Sequence, residues 1–106
     1  MSEAKEVKPY VVWEFADESY KLKLTASNII EIENKIGRNM LDVITNASNA
    51  MPPLKVMLLI VHQALLKYQH GIKEKDVIEI YDRYIESGGD QSTFMETVFL
   101  EVCMVS

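Results

Sequence analysis

The apolar positions of this chain switch from a period of two to a period near 3.6 at about residue 25. From Tyr10 to Ala16 the run is aromatic and β-branched, and Tyr20-Lys-Leu-Lys-Leu-Thr25 alternates strictly, as a strand with one buried face does. Asp17-Glu18-Ser19 separates the two runs, which predicts a β-hairpin over residues 10–25. Pairing Phe15 with Tyr20, Trp13 with Leu22 and Val11 with Leu24 puts all the apolar residues on one side. The same register sets Glu14 opposite Lys21 on the other. A lone hairpin is marginal in water, so its apolar face needs a cover.

Helical spacing supplies that cover. A first helix is predicted over 26–36, with Thr25 or Ser27 as N-cap, Gly37 as left-handed terminator, and Ile29, Ile32 (or Glu33) and Ile36 on one face. A short helix over 40–45 follows Asn39 and is expected to bury Met40, Leu41 and Ile44. Pro52-Pro53 opens a third helix, 53–69, stopping at Gly71. Its polar residues Lys55, His62, Gln63, Lys67 and Gln69 gather within about 160° of the wheel, leaving the wide apolar arc of a central helix. A fourth helix, 74–87, places Val77, Ile78, Tyr81, Tyr84 and Ile85 inward, with Lys75, Glu79 and Arg83 on its wet side. Gly88-Gly89 ends it. Asp90 or Ser92 then caps a last helix, 93–105, with Phe94, Val98, Val102 and Val105 in register. The fold class expected is α+β, mostly α: an N-terminal hairpin packed on a bundle of about four to five helices. Residues 1–9 read as a flexible leader and 10–106 as one domain.

Composition narrows the function. The chain has 106 residues and a formal net charge of −5, and neither half is basic: 6 basic and 8 acidic groups lie in 1–53, and 5 and 8 in 54–106. Nucleic-acid binding needs clustered Lys or Arg against phosphates, and that cluster is missing. The acidic balance also speaks against anionic membranes. A single cysteine, Cys103, forbids an intrachain disulfide and suits a reducing compartment. The start, Met-Ser-Glu-Ala-Lys-Glu, lacks a signal peptide's apolar stretch, and the run Val56 to Val61 is too short to span a bilayer. These features predict a cytoplasmic protein.

Candidate chemistry is sparse. Glycines 37, 71, 88 and 89 stand where helices end, which is a capping pattern and not a phosphate loop. His62 and His70 lack Cys or carboxylate neighbours at ligand spacing. Cys103 sits on an apolar helix without a histidine beside it. Asp76, Glu79, Asp82 and Glu86 interleave with Lys75 and Arg83 as a solvated face would. With no nucleophile–base pair, metal set or cofactor fingerprint, no catalytic residue, metal or cofactor is expected. Three features remain for binding: the hairpin's edge strands, the apolar arc of the third helix, and the last helix. A groove between the third and last helices would be lined by Leu58, Val61, Leu65, Phe94, Val98 and Val102.

Three segments, taken in order, resemble a known family. They are Tyr20-Lys-Leu-Lys-Leu-Thr25 running into Ile29-Ile-Glu-Ile-Glu33-Asn-Lys-Ile-Gly37 and Leu41 to Ile44; the helix from Pro52 to Gly71; and Val77-Ile-Glu-Ile-Tyr81-Asp82-Arg-Tyr-Ile85-Glu-Ser-Gly88-Gly89. Together they span about residues 20–105. This order is similar to that of the small tail assembly chaperones of long-tailed, siphovirus-type bacteriophages, prophages and gene-transfer agents. The resemblance implies a protein of the bacterial host's cytoplasm that coats the tape-measure protein and brings tail-tube subunits to it. It implies no enzyme activity, no nucleic acid and no membrane, and leaves homo-oligomerisation open. In this family a ribosomal frameshift often makes a longer second product, with which the apolar stop at Val105-Ser106 is compatible. The alternatives are a structural tail or head–tail connector component and a small oligomeric regulatory protein.

Overall fold

A two-residue turn, Ala16-Asp17, closes the hairpin, where the expected pairing of Phe15 with Tyr20 leaves four residues between them. In the computed structural model, which describes residues 9–47 and 49–105, strand β1 (Val11–Phe15) pairs antiparallel with β2 (Glu18–Leu22). Phe15 faces Glu18, Trp13 faces Tyr20 and Val11 faces Leu22. The expected register is thus wrong by two residues. Glu14 meets Ser19, and Lys21 meets Val12. Tight hairpin turns favour a residue with positive φ because its twist matches that of the strands, and Ala16 takes that role at φ +49°. A slip of two keeps every side chain on its own face. Trp13, Phe15, Val11 and Leu22 are therefore buried as expected. Lys21, without its carboxylate, lies over the rings of Tyr10 (4.9 Å) and Tyr68 (5.9 Å).

Helix α1 (Ala26–Ile36) starts at Thr25, whose Oγ1 accepts from the Asn28 N–H while Asn28 Oδ1 accepts from the Thr25 N–H. It ends at Gly37 in the left-handed region, φ +68°. Ile32 enters the core; Glu33 turns away, and its carboxylate accepts from the Met40 N–H at 2.9 Å to begin α2 (Met40–Ala47). Helix α2 runs two residues beyond the expected Thr45 and buries Met40, Val43 and Ala47. Leu41, expected inside, is 68% exposed, because Val43 occupies the inward position of this turn.

Helix α3 (Leu54–Leu65) is the centre of the fold, packed against α1, β2 and the helices that follow. Its α-helical part stops at Leu65, four residues before the expected end, and a series of turns carries the chain to Gly71 at φ +87°. The last turn of α3 is engaged by the hairpin: Lys23 N–H donates to the Ala64 carbonyl at 3.1 Å. Gln63, expected on the wet face, is only 5% exposed. Its Oε1 accepts from Asn28 Nδ2 at 3.1 Å, so one side-chain bond ties the α1 cap to the central helix.

Helix α4 (Glu74–Glu86) lies beside α3 and buries Val77, Ile80, Tyr81 and Tyr84. Ile78 and Ile85, expected in that stripe, stand 51% and 40% exposed; Ile80 takes the inward position instead. Asp90 caps the closing helical rod, its Oδ1 accepting from the Thr93 N–H at 2.8 Å. The rod comprises α5 (Gln91–Phe94), a π-helical segment (Met95–Phe99) and α6 (Leu100–Val105). Phe99, in the π segment, joins Phe94, Val98 and Val102 in the core.

The core is most aromatic where the hairpin meets α4 and the rod. The Trp13 ring lies 5.1 Å from Phe94, 5.5 Å from Phe15 and 5.8 Å from Tyr84, centroid to centroid. Gly89 lies flat against Tyr84, whose hydroxyl donates to the Asp90 carbonyl at 3.2 Å. The architecture is α+β and mostly α, as expected. Residues 1–8, most of the expected leader, lie outside the described residues.

Candidate interaction surfaces

The six residues expected to line a binding groove are brought together, but as core. Leu58, Val61, Leu65, Phe94, Val98 and Val102 are all buried, because α3 packs directly on the π segment of the rod and the hairpin covers both. That groove is filled by the chain itself, and a partner would reach its side chains, Leu58 at the rim apart, only by opening the fold.

An open apolar groove of about 110 Å³ lies instead between α3 and α4. Lys55, Leu58 and Leu59 form one wall, Glu74 and Ile78 the other. Ile85 follows Ile78 seven residues later, two turns along the same face of α4. Sequence periodicity assigned both isoleucines to the core. The signal that places them outside is their neighbourhood on the wheel, where Asp82 and Lys75 flank them at the margin of the buried stripe. Ile30 on α1 and Leu41 on α2 are further exposed apolar side chains, the former 59% open.

A polar staple fixes α4 to the hairpin. Arg83 donates from Nε to Glu18 Oε2 (2.7 Å) and from Nη2 to Glu18 Oε1 (2.9 Å), while the Tyr20 hydroxyl donates to the same carboxylate. Periodicity placed Arg83 beside Glu79 on the wet face; the hairpin turn delivers a better partner. The bonds from Arg83 and then Tyr20 hold the Glu18 carboxyl down at about 2. Burial, then the bond to Glu18, raises the Tyr20 hydroxyl above its ordinary value.

The other candidate groups have structural places. His62 Nε2 lies 2.8 Å from the Ile72 carbonyl. A carbonyl can only accept, so Nε2 carries the proton and the ring ties α3 to the turn before α4. Burial pushes the Cys103 thiol up to about 12, which keeps it in the poorly nucleophilic protonated form. Among the described residues no group of three or more His, Cys, Asp or Glu could hold a metal ion. No described helix is long and apolar enough to cross a membrane.

A protein-family model matches residues 7–104, nearly the whole chain. The chain belongs to DUF6096, a family of unknown function. No curated protein and no solved structure matches it. The matched span takes in the hairpin, the α3–α4 groove and all but the last residue of the closing rod.

Proposed function

We propose that the protein binds other polypeptides as a phage tail assembly chaperone, holding the tape-measure protein and bringing tail-tube subunits to it in the cytoplasm of the bacterial host. The segment order described above supports the family role. The observation that carries the binding role is the α3–α4 groove, where Leu59 and Ile78 present apolar surface, with the exposed Ile85 two turns further along α4. An amphipathic helix that lays apolar anchors into such a groove leaves its own polar face in water. A long helical tape-measure protein offers that kind of anchor repeatedly.

The test is co-expression with the tape-measure and tail-tube proteins of the same genome. The native chain is expected to keep the tape-measure protein in the soluble fraction and to co-purify with both. Ile78→Asp with Ile85→Asp abolishes that while leaving circular dichroism unchanged, since exposed substitutions shift stability by only about 0.5 kcal/mol. Val98→Asp, by contrast, unfolds the chain, because an unpaired carboxylate in the core costs about 3–5 kcal/mol. A soluble tape-measure protein with the double variant refutes the groove. Recovery of the chain in finished virions refutes the chaperone role, because a chaperone leaves the particle.

A further inference from the structure

The hairpin has an edge that the fold does not use. Among the described residues the sheet contains two strands, so each has one side without a strand partner. The parity of the ladder says which groups face outward. Across a two-residue turn the flanking pair, Phe15 and Glu18, exchange main-chain hydrogen bonds, and bonded and non-bonded pairs then alternate. Trp13 and Val11 therefore bond inward to β2, and the N–H and C=O groups of Val12 and Glu14 point away from it. On β2 the same parity sends Ser19, Lys21 and Lys23 outward, and the Lys23 N–H does donate to the Ala64 carbonyl. The outer side of β2 is thus closed at its end by α3. The outer side of β1 borders an open depression of about 410 Å³, lined by Tyr10, Val11, Val12, Glu96, Thr97 and Glu101.

Among the described residues the charge around this edge is one-sided. Glu14 on the strand and Glu96 and Glu101 on the rod are exposed, and none is in an ion pair among the described residues. The nearby Lys21 is held over the rings of Tyr10 and Tyr68. Unpaired strand edges attract further strands, and charge selects which ones. A second copy pairing β1 with β1 would bring two sets of these carboxylates together, which opposes it. We propose that the outer edge of β1 accepts an extended, lysine- or arginine-bearing segment of a partner protein as a third strand. Main-chain bonds to Val12 and Glu14 would set its register, and Glu96 and Glu101 would take its basic side chains. This site is separate from the α3–α4 groove and stands whether or not that groove binds a tape-measure protein.

The probe is a seven-residue acetylated peptide alternating lysine with valine, added to the full chain and followed by amide hydrogen exchange and two-dimensional NMR. Saturating peptide is expected to slow exchange of the Val12 and Glu14 amides at least about tenfold, with little change at Trp13, which is already paired. Two control peptides separate strand pairing from simple charge attraction. One has the same charge with its central valine replaced by proline, which cannot donate to a ladder. The other replaces each lysine by glutamate. Both are expected to give no protection, and Glu96→Lys with Glu101→Lys in the protein is expected to weaken the binding about tenfold or more. Equal protection by the proline peptide overturns the proposal. So does strong protection of Val12 and Glu14 in the free monomer, or a concentration-dependent dimer with protected β1 amides.

Discussion

Replacing Gly89 by alanine would put a methyl carbon 2.3 Å from Cζ of Tyr84 and 2.5 and 2.6 Å from its two Cε atoms. Carbon atoms rest at about 3.5–4.0 Å, so the ring would have to retreat by more than 1 Å. It has nowhere to go. Trp13, Phe15, Tyr81 and Phe94 lie around it with ring centroids 5.5–5.9 Å away, and its hydroxyl is bonded to the Asp90 carbonyl. Overpacking of a core this tight costs about 1–3 kcal/mol. For a domain of this size that lowers Tm by roughly 4–8 °C per kcal/mol. The assay is urea unfolding followed by fluorescence of Trp13, the single tryptophan and a direct neighbour of Tyr84. The decisive comparison is a double-mutant cycle with Tyr84→Leu. With the ring gone, Gly89→Ala should cost nearly nothing, a coupling of at least about 1 kcal/mol. A single variant within about 0.5 kcal/mol of the native chain, or costs that simply add, would refute the packing described for this corner. Gly88 is a different case. Space is open there, but φ is +108°, so its alanine variant is strained by the backbone whatever Tyr84 does.

Other consequences are as direct. Ala16→Gly should stabilise the protein by about 1 kcal/mol in the same unfolding assay, since an L-residue at positive φ pays roughly that much and glycine does not; no gain would mean the turn is not centred on Ala16-Asp17. The Glu18 carboxyl titrates at about 2 in the fold against 4.5 ordinarily, so the staple's contribution is complete above pH 4.5 and fades as pH falls towards 2. Urea midpoints measured from pH 6 to pH 2 should therefore fall more steeply for the native chain than for Glu18→Gln. Iodoacetamide at pH 8 should leave Cys103 almost unmodified in the native protein and alkylate it readily in urea, followed by mass spectrometry.

How far the fold was legible in the sequence depended on which physical signal each element carries. The faces of the hairpin could be read because alternation survives a two-residue slip. Its register could not, because Asp17-Glu18-Ser19 looks like a turn while Ala16 bears no mark of its positive φ. The caps of α1 could be read from Thr25 and Gly37, which act locally. Gln63 could not, since the wheel sorts a residue by polarity and does not know of an amide arriving from Asn28. The binding surface fared worst for a general reason. A stripe that packs on the chain's own hairpin and a stripe that packs on a partner have the same spacing. Only the position of β1 and the π turn reveals that Val98 and Val102 belong to the first kind, while Ile78 and Ile85, at the margin of theirs, stay open.

The aromatic corner also constrains when the molecule can be completed during synthesis. Trp13 precedes its ring partners Tyr84 and Phe94 by 71 and 81 residues in the order of synthesis. At about 5–20 residues per second, the nascent strand waits several seconds with its indole uncovered. A two-stranded ribbon does not hold by itself over that interval. The hairpin, made before every helix that covers it, is therefore bound to be among the last parts to settle, and its edge becomes a finished surface only after the closing rod has arrived beneath it.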